Sequence, residues 1–396
     1  MDFEIIFALI LAVVSTAYII VMGILICGFL RFRQVRTISF HERFGQKLPS
    51  VSVIIPVRNE SMNIRNCLDD MLYQDYPQEL MEILVTDDFS EDHSISFVQL
   101  FIQQHTGFPV SVIPSKGDQF SESGKKRALS RAIHSAKGEL IITTDADTRR
   151  GHAWISAIVK AYTNGRFQMI LGPVAIHHEK NLLLKIQSLE LMGLIGTTAA
   201  ATFLQVPFMC NGANLSYQRT AFFETGGFEG NTQFASGDDM FMMAGVRKRF
   251  GANTIGFVLD QDAIVFTEGE SSLGGFINQR LRWVSKSRGY KETGVISMAV
   301  LTWLTHFLLL TGMLIGLFHP VILIVSFGLW IIKILADYPI VRIMACFFGK
   351  KNLLGYYFIA QMFQLIYIVF IGISGNLFSY SWKGRKMASA KSKSTG

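Results

Sequence analysis

Leu140-Ile141-Ile142-Thr143-Thr144-Asp145-Ala146-Asp147 decides how this chain is read. A short apolar and β-branched run reads as a buried strand, and it ends in two carboxylates separated by one residue. The same grammar occurs upstream. Val51-Ser52-Val53-Ile54-Ile55 ends at Pro56, a helix-like segment runs from Met62 to Leu72, and Glu82-Ile83-Leu84-Val85-Thr86 ends in Asp87-Asp88. Strands alternating with helical stretches between Pro49 and Tyr290 predict an α/β domain with a mostly parallel sheet covered by helices on both faces. In such open sheets ligands bind outside the carboxyl ends of strands, so both acidic pairs are expected to face one crevice.

Two carboxylates at this spacing can jointly hold a hard divalent cation, which in turn binds and neutralises a nucleotide diphosphate. An isolated Asp-x-Asp is as readily a capped turn. Here a second acidic pair stands at a neighbouring strand end, and Gly124-Lys125-Lys126-Arg127 offers cations to phosphates near a helix start, which favours the binding reading.

The chain has 396 residues, 50% hydrophobic and 17% charged, which excludes a disordered chain and a small stapled scaffold and argues against a wholly soluble protein. Cys27, Cys67, Cys210 and Cys346 form no CxxC and no metal-site register, so they are expected to be reduced and mostly buried. The net charge of +7 collects beside apolar runs, which suits a membrane surface and not nucleic acid. Ile5 to Leu30 is a run of 26 residues without a formal charge, enough to cross a bilayer, and Arg31, Arg33 and Arg36 follow it. Asp2 and Glu4 precede the run, unlike the basic front of a signal peptide, so it reads as a retained anchor with its N-terminus outside. Uncharged stretches of 40 residues, Thr293 to Ile332, and 31 residues, Asn352 to Trp382, predict about three further spans. The first breaks at Phe318-His319-Pro320, the second continues through Lys333, Asp337, Pro339 and Arg342 towards Phe348, and the third covers Leu354 to Phe378. Three crossings would place Lys383, Arg385, Lys386, Lys391 and Lys393 outside, against the positive-inside rule, so one segment is expected to be re-entrant, the charge-bearing middle one first. Leu191 to Met209 is also uncharged but rich in Thr, Ala and Gly, and reads as a buried or surface helix. The expected organisation is an anchor (1–30), a linker (31–48), a catalytic domain (49–271), an interfacial helix (272–292), transmembrane segments (293–380) and a basic tail (381–396).

Pro56-Val57-Arg58-Asn59-Glu60, Gln74-Asp75-Tyr76-Pro77, Asp87-Asp88-Phe89-Ser90-Glu91-Asp92, Gly124-Lys125, Asp145-Ala146-Asp147, Asn211-Gly212-Ala213-Asn214, Gly226-Gly227-Phe228, Gly237-Asp238-Asp239 and Gln279-Arg280-Leu281-Arg282-Trp283 follow one another in an order that resembles glycosyltransferase family 2, inverting enzymes with the GT-A fold. The last motif matches QxxRW of the membrane-bound subgroup, similar to cellulose, hyaluronan and poly-N-acetylglucosamine synthases and to enzymes that glycosylate ceramide. The resemblance implies that Asp239 is the general base. It further implies that Pro56, Arg58, Asn59, Glu60, Asp87, Asp88, Lys125 and Asp145 line the nucleotide-sugar site, and that Asp147, with Asp145, serves a Mn2+ or Mg2+ ion. Asn211, Gly212, Asp238, Gln279, Arg282 and Trp283 would close the site around the diphosphate and acceptor. Glu268 matches an acidic position without an assigned role. Phe89 stands where the family has Gly, Ser130 where it has Asn, Asp238 where it has Glu, and Thr148-Arg149-Arg150 where a Pro is common.

The implied activity is inverting transfer of a sugar, from a UDP-sugar by resemblance, to a lipid or glycan acceptor hydroxyl at the cytoplasmic face of a bacterial inner membrane. Inverting transfer needs one base and one cation and no covalent nucleophile, which agrees with these residue types. About four crossings provide little protein to enclose a polymer channel, which favours a lipid or lipid-linked acceptor. The alternatives are a small processive synthase and a non-catalytic sugar-nucleotide binding or transport protein.

Overall fold

The computed structural model describes residues 3–39, 47–115, 124–229, 237–286, 292–375, 380–382 and 385–387. Most of the basic tail, including Lys383, Lys391 and Lys393, lies outside them. The chain divides into two compact units, Val35–His177 with Ala201–Glu268, and Met1–Gln34 with His178–Ala200 and Gly269–Gly396.

The first unit is built on β1 (Val51–Val57), β2 (Met81–Asp87), β3 (Val110–Ile113), β4 (Leu140–Thr143), β5 (Thr148–Arg150), β6 (Met169–Leu171), β7 (Val174–Ile176), β8 (Leu215–Gln218), β9 (Ile255–Phe257) and β10 (Val265–Thr267). Its larger sheet has the order β3-β2-β1-β4-β8-β6-β9. β1 runs parallel to β2 and β4, β2 to β3 and β6 to β9, while β8 is antiparallel to both its neighbours. Such a sheet is buried on both faces, and the burial pattern of β1, with only Pro56 not fully buried, shows it. The helices, counted along the whole chain from α1 (Phe3–Ser39), include here α2 (Ile64–Leu72), α3 (Ser94–Gln104), α4 (Lys125–Ser135) and α5 (Trp154–Gly165). Val51, Val53, Ile55 and Val57 join α2, α3 and α5 in one apolar core, and on β2 Thr86 Oγ1 donates to the carbonyl of Ala128 in α4 at 2.9 Å. The smaller sheet, β5-β10-β7, carries the chain on from the Asp-x-Asp turn.

The strand order reverses between β1 and β4, since β2 and β3 lie on one side of β1 and β4 on the other. This is the switch point at which open α/β sheets leave a crevice. The β1–β4 register ends at Ile54 with Thr143, so Pro56 lies beyond the shared ladder and its missing N–H costs no bond to β4.

α6 (Leu182–Phe203) begins earlier and ends sooner than the uncharged stretch that led to it. α7 (Arg219–Glu224) and α8 (Asp238–Phe250) complete the helices of the first unit. The second unit holds α1, α6 as far as Ala200, α9 (Leu273–Lys286), α10 (Thr293–Ile315), α11 (Pro320–Phe347), α12 (Tyr357–Ser374) and the short pair β11 (Tyr380–Trp382) and β12 (Arg385–Met387). Among the described residues five helices, α1, α6, α10, α11 and the one closing at Ser374, are long and apolar enough to cross a membrane, and α6 is the most enclosed of them. The break expected at Phe318-His319-Pro320 lies between α10 and α11, with Pro320 at the first turn of α11 where its missing N–H is harmless. α1 continues past Leu30 to Ser39, so the expected linker starts as helix. Cys67 and Cys210 are buried as expected, whereas Cys27 and Cys346 are exposed. Both lie on spanning helices whose outer faces carry apolar groups, so a thiol there replaces an aliphatic side chain.

The two buried charges of α11, Lys333 and Asp337, are matched. Lys333 Nζ lies 3.0 Å from Asp337 Oδ2 and donates to Gln361 Oε1 at 2.6 Å and Gln364 Oε1 at 3.1 Å, while Tyr18 of α1 donates to Asp337 Oδ1 at 3.1 Å. Three acceptors thus meet the three ammonium hydrogens. Removing one partner of such a buried pair strands the other charge, so Lys333→Met is expected to lower stability by about 3–5 kcal/mol. Adding Asp337→Leu should recover much of the loss, and detergent-phase unfolding of both variants measures it. Equal stability of Lys333→Met and the unaltered protein would contradict the pairing.

Candidate active site

The crevice is lined from three strand ends. At the end of β1, Arg58 turns back to donate through Nη1 to the carbonyls of Asp88 (2.6 Å) and Phe89 (2.9 Å), and so ties the β1 end to the β2 end. Asn59, at φ 51°, accepts from the Glu91 N–H at 2.9 Å and donates its own N–H to Ser90 Oγ at 3.2 Å. Glu60 is buried, with its N–H on Ser94 Oγ at 2.7 Å and its Oε2 accepting from Asn63 at 2.9 Å. At the β2 end Asp87 Oδ1 accepts from the Ser90 N–H at 3.0 Å, which closes the turn. Asp88 is buried, and Arg127 Nη2 lies 4.0 Å from its Oδ1.

The β4 end carries the Asp-x-Asp turn. Thr148 Oγ1 donates to the Asp145 carbonyl at 2.6 Å, and Thr144 Oγ1 meets Thr148 Oγ1 at 3.0 Å and the Ala213 carbonyl at 2.9 Å. The segment that replaces the family's Pro is fixed from α2. Asp70 takes a two-pronged bond from Arg149, Nε at 2.8 Å and Nη2 at 2.7 Å, and a third from the Arg150 N–H at 3.0 Å. Fork-to-carboxylate geometry of this kind is among the stronger side-chain contacts.

Lys125 opens α4 behind Gly124 (φ 61°), and its Nζ donates to Asp145 Oδ1 at 2.5 Å and lies 3.9 Å from Asp238 Oδ2. Burial alone would lower the Lys125 pKa, but attraction to Asp145, Asp238 and Asp239 outweighs it and holds the value above that of an ordinary lysine. Asp238 and Asp239 form the first turn of α8 behind Gly237 (φ 92°), where the helix dipole favours carboxylates. Asp239 receives one N–H on each oxygen, from Gly212 to Oδ2 at 3.2 Å and from Met240 to Oδ1 at 2.9 Å. Asn211 Oδ1 accepts from the Ala213 N–H at 3.0 Å and shapes the Gly212 turn. Asn214 anchors that loop. Its Nδ2 donates to the carbonyls of Pro173 and Ala263, both at 2.8 Å, and a Cβ on Gly172 would lie only 2.2 Å from its Cγ.

The structure therefore brings Lys125, Asp145, Asp238, Asp239 and Gly212 together, and sets the Asp87-Asp88 turn against the end of β1. Gln279, Arg282 and Trp283 stand on α9 in the second unit. There Arg280, which sequence reasoning passed over, is the buried member of the motif. It donates to Glu190 Oε2 and to Gln279 Oε1, both at 2.6 Å, with its guanidinium 4.2 Å from the Trp283 ring centroid. Arg131 and Asp70 were also passed over, and Arg127 was read only as part of the basic run at the helix start. Arg131 donates to the Asp87 carbonyl at 2.7 Å and the Pro114 carbonyl at 2.6 Å. The four-residue spacing of Arg127 and Arg131 on one helix face was the available signal. Glu268 lies 3.8 Å from His177 Nδ1.

A cation of the Mg2+ or Mn2+ kind takes one or two carboxylates and completes its shell with substrate phosphate and water. Among the described residues no group of three or more His, Cys, Asp or Glu could hold an ion alone. Asp145 and Asp147 on one turn fit a cation that arrives with a diphosphate, not a closed all-protein cage.

A family model described as "Glycosyl transferase family 21" matches residues 9–393. The chain belongs to glycosyl transferase family 21. The motif order resembles family 2, so the family number is corrected while the enzyme class and fold stand. This family 21 glycosyltransferase is 24% identical over 317 residues to an N-acetylglucosaminyltransferase of Rhizobium meliloti, covering 74% of this chain and 71% of that one. It is 28% identical over 127 residues to the glycosyltransferase AglE of Haloferax volcanii, covering 32% of this chain and only 40% of that protein. Among solved structures, the mannosyltransferase PcManGT of Pyrobaculum calidifontis, in complex with GDP-Man and Mn2+, superposes with a TM-score of 0.51 at 16% identity, covering 90% of this chain and 99% of that one. That likeness shows the shared GT-A fold.

Asp92 gives the β2 turn a measurable signature. Burial would raise its pKa, but hydrogen bonds from the Ser94 hydroxyl and N–H and from the Ser61 N–H lower it from 3.8 to about 2. A depressed carboxylate stabilises the fold above its unfolded value and loses that contribution as pH falls through its folded value. Unfolding followed between pH 3.8 and about 2 is expected to show this loss in the unaltered glycosyltransferase and a smaller one in Asp92→Asn. Identical slopes would contradict the hydrogen-bonded role.

Proposed function

We propose that this glycosyltransferase transfers a sugar from a nucleoside-diphosphate sugar to a hydroxyl of a lipid or lipid-linked acceptor, with inversion, by direct displacement. The observation that carries the reading is the convergence of Lys125, Asp145, Asp238 and Asp239 at the switch point of the sheet. Asp239 is the general base. The two backbone N–H groups on its oxygens orient the carboxylate, and it accepts the acceptor hydroxyl's proton as that oxygen attacks the anomeric carbon. Asp147, with Asp145, would hold a divalent cation, which when bound neutralises the departing diphosphate. Lys125, already held among carboxylates, places a second positive charge at the same end of the crevice.

Asp88, Asp87, Asn59 and Glu60 line the nucleoside end, with Arg58 and Pro56 behind them. Gln279, Arg282 and Trp283 act on the diphosphate or acceptor, Arg282 through a permanently charged fork and Trp283 through a flat apolar face. Support for a sugar nucleotide and Mn2+ comes from the solved mannosyltransferase, named with GDP-Man and Mn2+. The motif resemblance favours a uridine nucleotide. Five long apolar helices support an integral membrane protein, and the bacterial N-acetylglucosaminyltransferase relative supports an inner membrane. Arg31, Arg33 and Arg36, which follow the uncharged run of α1, support a cytoplasmic catalytic unit.

Asp239→Asn is expected to reduce transfer by on the order of 10²–10⁴-fold while nucleotide binding survives. Asp147→Ala should also weaken Mn2+-dependent nucleotide binding. Nucleotide release from a panel of sugar donors, with total membrane lipid as acceptor source, tests both variants, and full activity in both would remove the assignment. A single glycolipid product supports the reading, whereas a polymer ladder would replace it with a processive synthase.

A further inference from the structure

Phe89 follows Asp88 in the turn where the resembling motif carries glycine. Its φ is 58°, in the left-handed region that glycine enters freely and residues with a Cβ rarely do. The conformation is imposed from several directions. Arg58 Nη1 donates to the carbonyls of Asp88 and Phe89, on either side of the Phe89 Cα, and the Ser90 N–H is held by Asp87 Oδ1 at 3.0 Å. Nothing in the core repays this strain, because the Phe89 residue is 40% exposed, among the large apolar groups left at the surface. Backbone strain kept without burial of the side chain points to use of that side chain.

The ring's surroundings say what the use is. The Arg127 guanidinium carbon lies 4.8 Å from the ring centroid, and the same guanidinium reaches to 4.0 Å from Asp88 Oδ1. Two residues before Arg127, on the same first turn of α4, Lys125 bonds Asp145. The first turn of α4 therefore touches both places: Arg127 meets the Phe89 ring and approaches Asp88, and Lys125 meets the carboxylate end suited to a diphosphate. The other end of a nucleoside diphosphate is a flat base, which stacks well on an aromatic face whatever its hydrogen-bonding edge.

We propose that Phe89 is the stacking platform for the nucleobase of the donor, with Asp88 beside it facing the base's polar edge. This rests on the nucleotide reading of the crevice. Glycine at this position would relax the turn and remove the platform, so stability and affinity should move independently.

The test uses the full-length protein in detergent, with UDP, GDP and inorganic pyrophosphate as ligands, and the variants Phe89→Gly and Phe89→Tyr. Phe89→Gly is expected to unfold at the same or a higher temperature and to lose about ten-fold or more in affinity for the nucleoside diphosphate that the unaltered protein binds. Pyrophosphate affinity should be unchanged, and Phe89→Tyr should retain nucleotide binding. Three results would overturn the proposal: nucleotide affinity in Phe89→Gly within about two-fold of the original, an equal loss for pyrophosphate, or a lowered unfolding temperature that marks the ring as a packing group. If the unaltered protein binds pyrophosphate but neither nucleotide, the nucleotide reading of the crevice falls and the platform with it. Unchanged nucleotide binding in Phe89→Gly removes the platform alone.

Discussion

The Lys125 ammonium is the contact on which the candidate site depends. It comes from the start of α4, Asp145 from the end of β4, and Asp238 and Asp239 from the start of α8, segments far apart in the chain. Three carboxylates cannot be crowded into one crevice without a cation among them, and burial makes an unmatched cation equally costly. Each group therefore makes the others tolerable. The fold supplies the meeting place, because reversal of the strand order between β1 and β4 opens the sheet where these segments converge.

Around that contact the backbone is held by hydrogen bonds more than by packing. Arg58 and Arg131 both end on carbonyls of the β2 turn, Asp70 grips two consecutive residues after β5 has begun, and Asn214 is bonded on its amide by two carbonyls. Charged donors on buried carbonyls give strong, directional restraints, which suits loops that must keep fixed positions without regular secondary structure. The second unit handles polarity by a related logic, with Lys333, Asp337, Tyr18, Gln361 and Gln364 forming a closed set among apolar helices.

Much of this was legible in the residues. Strands ending in Asp87-Asp88 and Asp145-Ala146-Asp147 announced a parallel sheet and the edge at which to look, and Pro320 marked the start of α11. What could not be read were contacts whose partners share no local pattern. Asp70 lies within an ordinary amphipathic helix, and only the fold shows that Arg149 and the Arg150 N–H come to it. The replacement of Pro by Thr148-Arg149-Arg150 left the loop shape undetermined, and this three-bond clamp is the physical answer. The QxxRW letters likewise did not reveal that Arg280, between the named positions, is the buried one. The ordered motifs gave the enzyme class and the GT-A fold but resembled family 2 where the family model is that of family 21, since such motifs report shared chemistry more directly than lineage.

Arg280 also separates two kinds of constraint within five consecutive letters. Its guanidinium is bonded to Glu190, which in turn receives the Tyr367 hydroxyl, so it ties α9 to α6 and α12. Variation at Arg280 would be filtered by whether the helices assemble at all, whereas variation at Arg282, under the role proposed for it, would be filtered by what the finished enzyme does. Among diverging relatives the two arginines would then follow different histories. A substitution at the first would be accompanied by change at Glu190 or Tyr367, and one at the second by change of substrate.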